Sequence, residues 1–280
     1  MLRTSAARLL DERDLPEVLA LLERDPVADV FVASRVQAAG LSEPRLRAQV
    51  WGIGDRGRLE SLCYAGANLV PVQAGPEAVR AFADRARRQG RRCSSVVGAS
   101  GAVVPLWQLL APHWGAARDV RVDQPLLALE GPPSVAPDPA VRQVRPDELE
   151  LLLPACIAMF TEEIGVSPTA GGGGAVYRAR VAELIAAGRA YARIEGGQVL
   201  FKAEVGAASD RVCQVQGVWV QPALRGRGLS VAGTAAVVEL ARAQVSPVVS
   251  LYVNDYNVPA RRAYARVGFS EVGRFTSVLF

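Results

Sequence analysis

One histidine, His113, and four cysteines are all the imidazole and thiol donors in this 280-residue chain. Cys63, Cys93, Cys156 and Cys213 lie far apart with no Cys-x-x-Cys pair, so neither a zinc set nor a dithiol redox motif can be drawn from them. No metal site is expected, His113 reads as structural, and reduced thiols fit a cytoplasmic protein. Lysine is nearly absent. Arginine supplies almost all of the 32 basic residues, but it is scattered rather than striped with aromatics, and the net charge is only +4 with a pI near 9.1. That pattern describes solvated faces and a local anion site, and it argues against nucleic acid as a partner. No apolar run approaches the roughly 20 residues of a membrane span. Residues 1–10 soon run into Asp11-Glu12-Arg13-Asp14, so neither a signal peptide nor a membrane partner is expected.

What the chain does have is apolar bulk, 50% against 21% charged residues, the balance of a globular protein with ample core. The length suits one large domain or two ordinary ones. Its organising stretch is 215–264. Val215-Gln216-Gly217-Val218-Trp219-Val220 reads as a strand that Pro222 ends. After Arg225-Gly226-Arg227-Gly228-Leu229-Ser230, apolar residues recur at helical spacing from Val231 to Arg242. A strand, a basic glycine-bearing turn and a helix start make an anion cradle. The first helix amides lack acceptors, the macrodipole is positive there, and glycine lets a bulky group approach the backbone. A phosphate or diphosphate suits it. No Gly-Lys-Ser/Thr closes the turn, which excludes a P-loop, and the dinucleotide spacing of three glycines is missing too.

A second motif follows. The strand Val248-Val249-Ser250-Leu251-Tyr252-Val253 leads into Asn257, Ala260 and Tyr264, and then Gly268-Phe269. With these residues the chain resembles the GNAT superfamily of acyl-CoA-dependent N-acetyltransferases, whose signature is Gln or Arg, two residues, Gly, one residue, then Gly or Ala. Arg225 and Gly228 fit it, and Ser230 departs slightly at the last position. The match covers roughly the last half of the chain. It implies an α/β (α+β) fold of mixed, mostly antiparallel sheet flanked by helices, with acetyl-CoA as cofactor and an amine as the other partner.

The first half echoes the order of the second. Arg8-Leu9-Leu10 running into a helix at 15–22 is matched by Arg142-Gln143-Val144 running into Leu151-Leu152-Leu153. Strands are predicted at 50–53, 59–65, 68–72 and 93–97, with helices at 76–89 and 104–110. Gln73-Ala74-Gly75-Pro76 stands where the basic glycine turn would be, and no Asn-x-x-Ala-x-x-x-Tyr follows Val97. The reading is two GNAT-like domains: a degenerate one at 1–130 without cofactor motif, a Pro-rich linker at 131–139, and an acetyltransferase domain at 140–280. This tandem arrangement resembles that of the mycothiol synthases. In the second half, helices are predicted at 154–163 and 177–187 around a slack loop at 167–174. Strands follow at 189–195, 199–205 and 213–220, with a final hairpin at 271–280.

By the resemblance, Val218, Trp219 and Val220 offer backbone to the pantetheine arm, and the amides of Arg225, Gly226, Arg227, Gly228, Leu229 and Ser230 hold the diphosphate. Asn257 and Ala260 belong to the cofactor site, Asn257 either bonding the pantetheine or capping its helix. Tyr264 is the candidate general acid, with a half-buried packing role as the alternative. For a base, the strand offers Gln214 and Gln216, neither of which accepts a proton at neutral pH. Glu204 is the candidate, with Glu162 and Glu163 as alternatives. The functional expectation is acetyl transfer from acetyl-CoA to a primary amine, against a non-catalytic acyl-CoA sensor. Thiol release with an amine panel separates the two. The oligomeric state is left open.

Overall fold

The halves repeat the same order of elements, with one extra short helix, Glu43–Leu46, in the first. The first pass runs β1 (Arg8–Leu9), α1 (Leu15–Leu22), α2 (Val30–Ala39), α3 (Glu43–Leu46), β2 (Gln49–Ile53), β3 (Ser61–Ala65), β4 (Asn68–Val72), α4 (Pro76–Gln89), β5 (Ser95–Ala99), α5 (Ser100–Trp114) and β6 (Asp119–Glu130). The second runs β7 (Val141–Gln143), α6 (Leu149–Ile164), α7 (Gly174–Ala186), β8 (Ala190–Glu195), β9 (Gln198–Ala208), β10 (Val212–Val220), α8 (Leu229–Gln244), β11 (Val248–Tyr252), α9 (Val258–Val267) and β12 (Ser270–Leu279). The computed structural model describes residues 6–280; residues 1–5, part of the segment read for a leader, lie outside them. No helix among the described residues is long and apolar enough to cross a membrane.

The chain folds into two compact units. The first extends through Leu126 and adds Tyr252–Tyr256 and Glu271–Phe280; the second is Leu127–Leu251 with Asn257–Ser270. In the first, the strand order is β1-β2-β3-β4-β5-β12. Pairing is antiparallel except between β4 and β5, which run parallel with Asn68 opposite Ser95 and Leu69 opposite Val96. Its core lies on both sheet faces: Val18, Leu21 and Val36 from α1 and α2 on one, Phe82, Val103 and Leu106 from α4 and α5 on the other. In the second unit the order is β7-β8-β9-β10-β11, again antiparallel except for the β10–β11 pair. There α6 and α7 pack Leu152, Cys156, Val181 and Leu184 against Ala190 and Ala192 of β8. On α8, a Cβ at Gly233 would sit 2.8 Å from the Phe201 ring, so glycine sets how closely that helix approaches β9.

Three expectations change. The last segment is one strand from Ser270 to Leu279, not a hairpin, and it pairs with β5 from Phe275↔Ala99 to Leu279↔Ser95. A simple cut at the linker therefore does not divide the chain: β12 covers what would be an open edge of the first unit's sheet. The linker belongs to the second unit and is tied down there, with Ser134 N–H donating to the Val267 carbonyl at 2.7 Å and Arg193 pairing with Asp138 at 2.9 Å. Three elements were not predicted at all, the helices α2 and α3 and the strand β6.

Candidate active site

The site is built where two parallel strands part company. β10 and β11 are in register only at Val212↔Val248, Cys213↔Val249 and Gln214↔Ser250. Beyond Gln214 the β11 side of β10 has no strand partner in that pairing, so residues 215–220 offer an open backbone edge. On the β9 side the register slips between Gln216↔Glu204 and Trp219↔Lys202, placing Gly217 and Val218 opposite Ala203 alone. This is a β-bulge, which takes the extra residue out of the ladder and re-aims the strand. Gly217 makes it possible, with φ of +60° and no room for a Cβ, which would lie 2.9 Å from Lys202 Nζ.

The glycine turn follows through a short 3₁₀ segment, Pro222–Leu224. Gly226 and Gly228 have φ of +76° and +83°, left-handed values that other residues adopt only at a cost. Gly228 is the N-cap of α8 and carries no side-chain cap, so the first helix amides remain uncapped. From Gly226 to Ser230 no amide donates to a carbonyl among the described hydrogen bonds. The two arginines of the turn differ. Arg225 is spent, its Nε donating to the Val220 carbonyl at 3.0 Å and its Nη2 pairing with Glu162 at 2.7 Å. Arg227 is exposed and unpaired among the described residues. Glu162 accepts from Trp219 Nε1 at 3.2 Å as well, so one carboxylate clamps α6 to both β10 and the turn.

Beneath the bulge lies a buried polar cluster. Lys202 is 1% exposed and its Nζ donates to Glu204 Oε2 at 3.0 Å. Gln216 Nε2 donates to Glu204 Oε1 at 2.9 Å, and Gln216 lies over Gly206, where a Cβ would collide with its carboxamide. Burial alone would lower the Lys202 pKa; the Glu204 carboxylate and the neighbouring Cys156 reverse this, and the net shift is upward. Lys202 is thus an ammonium ion inside the protein, paired as such a charge must be. On α9, Tyr264 is 8% exposed, packs edge-on to Phe269 at 6.0 Å, and has no hydroxyl partner among the described hydrogen bonds. Burial, then the charge of Glu163, raises its pKa, so it stays a phenol. Asn257 caps α9, its side chain accepting from Ala260 N–H at 3.3 Å.

Residues 171–269 match the model of the acetyltransferase (GNAT) family. That match runs from just before α7 to the end of α9, almost wholly within the second unit. Residues 48–152 match a domain of unknown function, DUF4081. Among solved structures, a GNAT-family acetyltransferase from Colwellia psychrerythraea is similar over 98% of this chain and 99% of its own, at 15% identity and TM-score 0.55. A GCN5-related N-acetyltransferase from Sphaerobacter thermophilus is similar over 99% and 95%, at 17% and 0.57. A tandem GNAT protein from the clavulanic acid biosynthesis pathway is similar over 98% of both chains, at 15% and 0.53. At these identities the likeness is one of fold, a tandem GNAT fold across both units. No curated protein matches the sequence.

GNAT domains use acetyl-CoA as acyl donor, and the residues present fit that group. The uncapped amides and Arg227 suit a diphosphate, and the open edge of β10 suits an extended amide arm. Of the predicted residues, Val218, Trp219, Val220 and the turn lie together along one strand and its exit, while Asn257, Ala260 and Tyr264 share α9. Two expectations are revised. The Arg225 amide donates to the Pro222 carbonyl at 3.3 Å and its side chain braces the turn, so Arg225 is not among the free donors. Glu204 is poorly placed as a direct proton acceptor, since it is 9% exposed with Lys202 on one oxygen and Gln216 on the other. Sequence reasoning missed Lys202, although a lone lysine in an arginine-rich chain was a signal. It missed the bulge as well, although a glycine inside a predicted strand points to one.

Proposed function

We propose that the C-terminal unit transfers an acetyl group from acetyl-CoA to a primary amine of a small molecule or peptide, by direct attack within a ternary complex. The observation that carries this reading is the coincidence of three backbone openings along one strand. β10 parts from β11 after Gln214, leaves the ladder at Gly217 and Val218, and exits into the unspent amides of 226–230. Acetyl-CoA, when bound, supplies the activated acyl group as a thioester. The amides of Gly226 to Ser230 and the Arg227 guanidinium would hold its diphosphate at the positive end of α8. Val218, Trp219 and Val220 would take the pantetheine arm as an added strand. A backbone N–H on the open edge of β10 would face the acyl oxygen and stabilise charge developing there. Tyr264, held as a phenol by burial, would return a proton to the leaving sulfur.

Glu204 is assigned a positioning role. Held by Lys202 on one oxygen, it fixes Gln216 with the other, and Gln216 would front the acceptor side. The amine's proton then leaves to water. The test is release of free thiol from acetyl-CoA with a panel of amines, comparing the parent with Gly228→Asp. Amine-dependent release that the variant lacks supports the reading. Tight CoA binding with no release for any amine would instead make the unit an acyl-CoA sensor.

A further inference from the structure

We propose that the N-terminal unit carries a binding site for a small organic anion with an apolar body, independent of the acetyl-transfer reading. Its place is a cavity of about 470 Å³, within the roughly 300–1,000 Å³ usual for small-molecule sites. The cavity opens at one end of the sheet, where β2 begins at Gln49, β3 finishes at Ala65 and β4 starts beside Leu69. The turn matching the cofactor turn of the other unit leaves the opposite end of β4. That exit is already filled: Gln73 Nε2 donates to the Leu21 carbonyl at 2.7 Å and to Asp29 Oδ2 at 3.1 Å. The cavity is therefore no remnant of a cofactor slot.

The wall groups define the ligand by what they leave unused. Trp51, Leu69 and Ala86 make an apolar surface. Gln49, Gln89 and Glu43 satisfy one another: Gln49 Oε1 accepts from Trp51 Nε1 at 3.0 Å and Gln89 Nε2 at 3.1 Å, while Gln49 Nε2 donates to Glu43 at 3.3 Å. What remains is positive or donating. Arg47 and Arg92 line the cavity and have no carboxylate partner among the described residues. Arg47 is held in the left-handed region (φ 54°, ψ 33°), where α3 ends, which fixes the point from which its side chain leaves the chain. Trp114, another wall residue, has a buried indole N–H with no hydrogen-bond partner among the described residues, and an unmet buried donor is costly. Two cations against one carboxylate, an unmet donor and an apolar floor call for an occupant with acceptor atoms, negative charge and an apolar body.

The experiment uses the full chain with saturating CoA, so that the cofactor site is closed to the probe. The probes are 8-anilinonaphthalene-1-sulfonate and its uncharged analogue N-phenyl-1-naphthylamine, titrated by energy transfer from tryptophan. One saturable site per chain is expected, with the anion binding at least tenfold tighter than the neutral probe. Arg47→Glu combined with Arg92→Glu should weaken the anion at least tenfold and leave the neutral probe within twofold, the latter also showing that the variant is folded. Should the double variant not fold, Arg92→Gln should weaken the anion severalfold with unchanged circular dichroism. Equal affinity for the two probes, or indifference to the arginine changes, would each overturn the proposal. None of these outcomes bears on whether CoA itself binds the other unit.

Discussion

The two units leave the middle of their sheets in the same way and arrive at opposite chemistry. In both, a parallel strand pair is in register for only a few residues, Asn68–Leu69 with Ser95–Val96 in one and 212–214 with 248–250 in the other. In the first unit Gly75 caps α4 with an ordinary φ of −72° and Pro76 takes the first helical position, removing an amide donor. Gln73 turns back to bond its own unit. In the second, glycines at positive φ open the turn and the amides stay unspent. The fold supplies the parting strands in each case. On the proposed reading, a few turn residues decide whether the gap takes a cofactor.

The sharpest way to break this contrast is to place a carboxylate in each turn. Gly228→Asp sets a negative charge among the amides that would hold a diphosphate, and CoA affinity should fall by at least about 10³-fold, roughly 4 kcal/mol. Gly75→Asp has open space around its Cβ and should leave affinity unchanged. Calorimetric titration of both reads the outcome. Two equivalent CoA sites per chain, or loss on changing Gly75, would end the idea that only one turn is a cofactor site.

A second difference is buried charge. Lys202→Met would strand Glu204 without its partner, which typically costs about 3–5 kcal/mol. The double change with Glu204→Gln should recover a good part of that. Urea unfolding monitored by hydrogen exchange should show the loss in β9 and β10 and leave β2 to β5 at parental protection. A loss spread evenly over both units would mean that the cluster supports the whole chain.

Tyr264→Phe separates packing from chemistry. The ring and its contact with Phe269 remain, so CoA affinity should hold within a few-fold, while kcat falls by about 10²-fold, near 2.7 kcal/mol. A parental kcat would reduce Tyr264 to a packing residue. A large loss of CoA affinity would make the hydroxyl a binding contact instead.

Local signals were readable and non-local ones were not. The helix predicted at 76–89 is α4 residue for residue, because Pro at its first position and Gly just beyond Gln89 mark both ends. The turn and the Asn257–Tyr264 spacing were legible since each is one contiguous stretch. The Lys202–Glu204–Gln216 cluster was hidden because its members meet through strand register across a bulge. The destination of β12 was hidden for a related reason: alternation describes a strand but does not name its partner. Helix α2 went unseen because Asp29, its N-cap, makes no side-chain cap bond, and no proline or acidic residue opens the first turn. The helix α5 was read short, at 104–110, since Pro105 and Pro112 lie inside the observed Ser100–Trp114.

The smallest effect tests what the units share. Each opens on an arginine paired with a carboxylate six residues on: Arg8 with Asp14, both contacts 2.9 Å, and Arg142 with Glu148 at 2.8 and 2.7 Å. The hydrogen bonds from the arginines hold both carboxyls well below their ordinary range, Asp14 to about 2 and Glu148 to about 2, with burial opposing. Since the folded-state values are depressed, the stability these groups contribute is present above the unfolded values near 4 and is lost as pH falls from there through 2. Acid titration of the parent should therefore weaken both units over the same window. Arg8→Met removes the cause in the first unit alone. That unit should lose stability at neutral pH and become much less sensitive between pH 4 and 2, while the second unit keeps its acid response. Hydrogen exchange resolved by unit, measured from pH 6 to 2, gives both curves in one experiment. If the first unit's response stays parental in Arg8→Met, the shared opening pair does not set the acid response, and the repeat is one of shape without shared electrostatics.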